Sequence, residues 1–128
     1  MAAPQSPKMV QYMLLLSFAT LPILLLVFIA SQYKGEPNGN TMVPVLVSAV
    51  SFCGALYWLL NRLDTNQSPS EFQTNMLIAL AFGELCTLMG IFLGQPSGLS
   101  PYPFVGANFV VVFLAFARLN AYWSSRSA

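Results

Sequence analysis

The chain has 128 residues and no histidine, and only 7% of it is charged. A soluble domain carries about a quarter of its residues as Asp, Glu, Lys or Arg, so a water-exposed globule is excluded. The missing histidine removes the commonest general base, the commonest metal ligand and the usual axial ligand of haem. Without it, no conventional triad can form around a serine or threonine. Five Lys/Arg against four Asp/Glu leave a net charge of +1. That is no basic surface, and a nucleic-acid partner is not expected. Cysteine is scarce too. Cys53 and Cys86 both fall in apolar runs, which suits small buried hydrophobes rather than a disulfide or a metal site. There is no glycine-rich phosphate loop with a lysine, no Cys-x-x-Cys and no pair of carboxylates within the apolar runs. The expectation is a non-enzymatic protein with no catalytic residues, no metal and no cofactor.

What the chain has is apolar length. Hydrophobic residues make up 56% of it and gather in four runs, about 10–33, 42–63, 72–93 and 104–123. Each exceeds the roughly 18 residues that mark a membrane-spanning helix. The predicted fold class is all-α: an integral membrane bundle of four transmembrane helices in up-down topology, forming a single domain over 1–128. The first run is longer than the core of a signal peptide and has no clear small-x-small cleavage site, so it reads as a retained helix. Pro22 in its middle predicts a kink. Polar, turn-rich links separate the runs. In the second link, Ser68 or Ser70 is placed to cap the third helix, and Glu71 suits its first turn.

Four spans put both termini on one side. The tails and the second link hold Lys8, Arg62, Arg118 and Arg126, whereas the other two links hold only Lys34. The excess of positive charge predicts cytoplasmic N- and C-termini, in an inner, plasma or thylakoid-type membrane. Arg62, Arg118, Trp58 and Trp123 read as lipid-interface residues, with the arginines snorkelling and the tryptophans in aromatic belts.

One carboxylate interrupts the pattern. Glu84 lies near the middle of the third run, where a charge costs a few kcal/mol or more. Around it, Ala79, Gly83, Gly90 and Gly94 recur at near-helical spacing, and the second run carries Ser48, Ser51, Gly54 and Ala55. Small residues on one face let two membrane helices approach closely. These two sets are therefore expected to pack helices two and three as a tight antiparallel hairpin. Thr87 is one turn beyond Glu84, and Ser51 is expected near the same depth, so Glu84, Thr87 and Ser51 form the candidate protonatable or ion-binding set. With no cation at that depth, the expected resting state is a neutral, hydrogen-bonded carboxyl. Such a group either exchanges a proton or binds Na+ when water or further oxygens reach it, or serves only as a bond between helices. Asn108 reads as polar glue between helices.

The segment Met76-Leu-Ile-Ala-Leu-Ala-Phe-Gly-Glu84-Leu-Cys-Thr-Leu-Met-Gly90-Ile91 resembles the outer helix of the proteolipid c subunit of rotary ATP synthases. In that family an apolar lead-in reaches a mid-helix Glu, followed by an apolar residue four on and often a glycine six on, as Leu88 and Gly90 are here. Arg62 and Pro69 echo the family's short polar loop. The resemblance covers about residues 42–93 and implies that Glu84 carries a proton or Na+. The second run departs from it, with Gly54 in place of a dense glycine series. Two functions are thus expected of this chain. One is a structural or accessory subunit of a membrane complex or homo-oligomer, in contact with membrane lipids. The other is a c-like ion-translocating subunit.

Overall fold

In the computed structural model, residues 7–29, 42–95 and 99–127 are described. They form four helices, α1 (Pro7–Phe28), α2 (Met42–Asn61), α3 (Pro69–Leu88) and α4 (Tyr102–Ser127). A π-helical segment, Met89–Gly94, continues α3 without a break. The expected all-α, four-span bundle is what forms, with no strand among the described residues. Each helix is long and apolar enough to cross a membrane.

Local chemistry explains the helix ends. Ser68 is in extended backbone geometry and its side chain accepts the Glu71 N–H, which makes it the N-cap of α3. Pro69 follows in the first turn, where a missing N–H costs nothing. The helix therefore starts three residues before the apolar run does. At the other end of the chain α1 begins at Pro7, and it runs through buried Pro22 as one helix. Its predicted last residues, 30–33, lie outside the described residues.

α3 is the centre of the bundle. It packs against α2, α4 and α1, while α1 rests on α3 and α4. Sequential neighbours are in contact for α2–α3 and α3–α4, whose links are short. α1 instead lies across the α3–α4 pair from α2. The link of about a dozen residues between Phe28 and Met42 is long enough for that crossing, at roughly 3.3 Å per residue.

The core follows α3. Phe72 stacks on Tyr122 with ring centroids 4.1 Å apart, and Met76, Ala79 and Leu80 continue inward against Ala55, Leu59, Val111, Ala115 and Leu119. The outside is equally apolar. Leu16 is 68% exposed, Val50 71% and Phe113 72%. Apolar surface of this extent costs about 25 cal/mol per Å² in water; facing hydrocarbon it costs nothing. The chain is an integral membrane protein.

The end that holds the start of α1, the α2–α3 link and the end of α4 is tied by side-chain hydrogen bonds. Gln11 Nε2 donates to Pro69 O at 2.9 Å, and Trp123 Nε1 donates to Gln11 Oε1 at 2.8 Å. Tyr122 OH donates to Gln67 O at 2.7 Å, and Tyr12 OH to Asn120 Oδ1. Both termini of the helical bundle thus lie at one end with the second link, as an even number of spans requires.

Candidate functional site: a carboxyl, amide and hydroxyl between α3 and α4

Glu84 and Thr87 are three residues apart on α3, so they share a face. Asn108 on α4 meets both. Its Nδ2 donates to Thr87 Oγ1 at 2.7 Å and to Glu84 Oε2 at 3.2 Å. All three residues are buried, with Glu84 8% exposed and the other two fully enclosed. Glu84 Oε1 and Asn108 Oδ1 have no hydrogen-bond partner among the described residues. No salt bridge to Glu84 exists among them, and the described arginines, Arg62 and Arg118, are at the bundle's tied end. A buried, unpaired carboxylate is far costlier than a neutral carboxyl.

Glycine makes the meeting possible. A Cβ on Gly83 would sit 2.8 Å from Asn108 Oδ1 and 3.0 Å from Val111 Cβ. About two turns further on, a Cβ on Gly90 would lie 2.4 Å from Phe104 Cβ, and one on Gly94 would lie 3.5 Å from the Phe104 ring. Gly83, Gly90 and Gly94 therefore face α4 rather than α2, while α3 still packs closely along α2 as expected, with Ala79 and Ala55 in one core cluster. Toward α2, α3 turns Phe82 and Cys86 instead. A Cβ on Gly54 would find the Phe82 ring at an ordinary 3.7 Å, and Cys86 Sγ donates to Ser48 O at 3.4 Å. The physical reason is size. An amide and a phenyl ring reaching in from α4 need the missing side chains of α3, whereas Phe82 reaches the other way and lies over Gly54 of α2.

The predicted residues are thus divided. Glu84 and Thr87 are joined, but through Asn108 rather than directly. Ser51 is buried on α2 and makes no hydrogen bond to Glu84. Ser48 and Ala55 are buried on α2, and Ala79 on α3. Sequence reasoning passed over Asn108 as a partner of Glu84. The available signal was its carboxamide well inside an apolar run, since polar side chains in a span seek each other. The π-helical segment was missed as well. No local spacing announces it: the segment forms where Gly90 and Gly94 meet Phe104 of α4. Such segments widen a helix by one residue per turn and gather at functional sites.

The four interface residues hold on to the protein. Trp58 Nε1 donates to Asn75 Oδ1 at 3.0 Å, and the Arg62 guanidinium lies 5.5 Å from the Trp58 ring centroid. Arg118 Nη2 donates to Leu60 O at 3.1 Å, which satisfies a carbonyl in the last turn of α2. Trp123 bonds Gln11, as above.

Glu84 also lines a groove of about 470 Å³ between α1 and α3, with Phe18 contributed by α1. A second groove, of about 400 Å³, lies between α2 and α4 and includes Ser48; a third, of about 510 Å³, is wholly apolar apart from Tyr12 and lies between α1 and α4.

Fold and site together define a four-span membrane bundle with one buried carboxyl–amide–hydroxyl network on its central helix. Compared with protein-family models, with curated proteins and with solved structures, the chain has no match.

Proposed function

We propose that this chain is a non-enzymatic accessory subunit of a larger membrane assembly, formed with further copies of itself or with other transmembrane chains. Its termini are cytoplasmic, in an inner, plasma or thylakoid-type membrane. One observation carries the reading: the polar contact made by Glu84 is internal, to the neutral amide of Asn108 on the neighbouring helix. A carboxyl held this way sets the register of α3 against α4 and brings no second titratable group to a substrate. The outward faces of α1, α2 and α4 are apolar and suited to lipid or to other spanning helices. The test is native mass in mild detergent and in lipid nanodiscs. A mass well above the 14.0 kDa monomer, with normal assembly of a Glu84→Gln variant, is expected. A monomer in both media with no co-purifying chain would defeat the reading.

A second reading is favoured by a different observation. Glu84 lines the groove between α1 and α3, and its Oε1 has no hydrogen-bond partner among the described residues. Together with the likeness of residues 76–91 to the c-subunit outer helix, this supports proton or Na+ carriage by Glu84 within an oligomer. Reconstituted vesicles separate the two. Ion flux that is abolished in Glu84→Gln vesicles supports carriage, and absence of flux with the unaltered chain removes it.

A further inference from the structure

The tied end of the bundle carries two guanidiniums without a counter-charge. Arg62 and Arg118 form no ion pair among the described residues. Asp64 is two residues from Arg62 but turns its Oδ1 to the Asn66 N–H within its own link. Glu71 lies in the first turn of α3, where an acid suits the helix N-terminus. Both arginines are nonetheless held in place. The Arg62 guanidinium folds back over the Trp58 ring, and Trp58 is itself fixed by its bond to Asn75. Arg118 reaches across from α4 to the Leu60 carbonyl.

These contacts leave most of each donor set open. A guanidinium has five N–H donors. The bond to Leu60 O uses Arg118 Nη2, and the Trp58 ring takes the face of Arg62. Arg62 is exposed and Arg118 partly so. Leu60 and Arg62 are two residues apart, so their Cα atoms lie within about 8 Å of each other, and both cations are anchored on the last turns of α2. Side chains already held lose less freedom when a ligand arrives. The Arg118 bond also masks the carbonyl end of α2, which would otherwise repel an anion. The depth is that of the membrane interface, where tryptophan collects. Tyr57 and Leu60, exposed in the same turns of α2, offer apolar surface to lipid chains.

We propose that Arg62 and Arg118 together bind the headgroup of a phospholipid with net negative charge, at the end of the bundle where α2 meets α4. The phosphate accepts from the open guanidinium donors, and the acyl chains pass over Tyr57 and Leu60. A zwitterionic lipid fits less well, because its own cation meets the same two guanidiniums. Lys8 serves as an internal control. It is exposed at the start of α1, which lies across the α3–α4 pair from α2. A diffuse attraction to an anionic surface would draw on Lys8 as much as on Arg62, whereas a built site draws on the two arginines alone. The inference is independent of both functional readings, since neither arginine touches Glu84.

The experiment titrates the full chain in mild detergent with phosphatidylglycerol and with phosphatidylcholine of the same acyl chains. Bound lipids are counted per chain by native mass spectrometry, which resolves every oligomeric state and so leaves the result untouched by failure of assembly. Phosphatidylglycerol should bind about 30-fold tighter, the factor supplied by two arginines at about 1 kcal/mol each. Arg62→Gln and Arg118→Gln should each lose about fivefold of that preference, and Lys8→Gln should lose less than twofold. Should Arg118→Gln fail to fold, Arg62→Gln, which leaves the Leu60 bond in place, decides. Equal binding of the two lipids would overturn the proposal. So would a loss in Lys8→Gln as large as in Arg62→Gln, which would reduce the effect to the charge of the surface as a whole. Displacement of the lipid by inorganic phosphate at equal concentration would assign the guanidiniums to a free anion and also overturn it.

Discussion

Glu84, Asn108 and the glycines beside them differ in how far each could be read from the residue alone. Glu84 was legible because a carboxylate within an apolar run is expensive wherever the helix turns it. Its partner was not, because hydrogen bonding across helices depends on rotation and register that one-dimensional spacing leaves open. Removing the partner should be costly. Asn108→Leu leaves the Glu84 carboxyl with no bond, and thermal unfolding in detergent should show a loss of about 1–3 kcal/mol. The double variant Asn108→Leu, Glu84→Leu should recover part of it, since two apolar groups are cheaper than one orphan. The glycines give a graded series. Gly90→Ala puts a methyl 2.4 Å from Phe104 Cβ, an atom next to the backbone that cannot swing away. The expected loss is about 1–3 kcal/mol or more, and Phe104→Ala should suppress it. Gly54→Ala meets the Phe82 ring at 3.7 Å, so it should be neutral or stabilising by up to about 1 kcal/mol through helix propensity.

The helices themselves differ in how firmly they are held. α3 is packed on three sides and α1 on one, with a largely lipid-facing surface. Gln11 ties the start of α1 to the rest by accepting from Trp123 and donating to Pro69 O. Gln11→Leu removes both bonds while keeping the volume. Hydrogen exchange should then rise in the first turns of α1 and stay unchanged in α3, because local opening follows local contact density. Exchange rising equally in both would mean that α1 is integral to the core. At this scale the sequence showed four apolar runs where four helices form, since apolar run length is a one-dimensional property. It did not reveal the π-helical turn after Leu88, nor that α1 would sit across α3 and α4 from α2. Those outcomes depend on where Phe104 and the core of α4 lie, and no local pattern encodes that.

For the whole molecule, the testable property is orientation. The bundle's two ends differ. One carries the α2–α3 link with Asn66, exposed, and the other carries exposed Ser100 just before α4 and exposed Tyr102 at its start. In a Cys53→Ser background, Asn66→Cys should react with a membrane-impermeant maleimide only after permeabilisation of intact cells. Ser100→Cys should react from outside, as the distribution of Lys and Arg predicts. The reverse pattern would place the termini outside.

The sequence by itself determined that this is a four-span, all-α membrane protein with one buried carboxyl. Run length, charge scarcity and the cost of Glu84 in hydrocarbon are properties of the chain that hold in any packing. Only the tertiary structure decided which face of α3 meets which helix. It turned Gly83, Gly90 and Gly94 toward Asn108 and Phe104 on α4, and left Ser51 out of reach of Glu84. The physical reason is that apolar helices of similar composition attract each other almost equally in a membrane. The choice among them falls to the few places where a side chain is missing or a polar group needs a partner, and these must match in space before either helix can be assigned a neighbour.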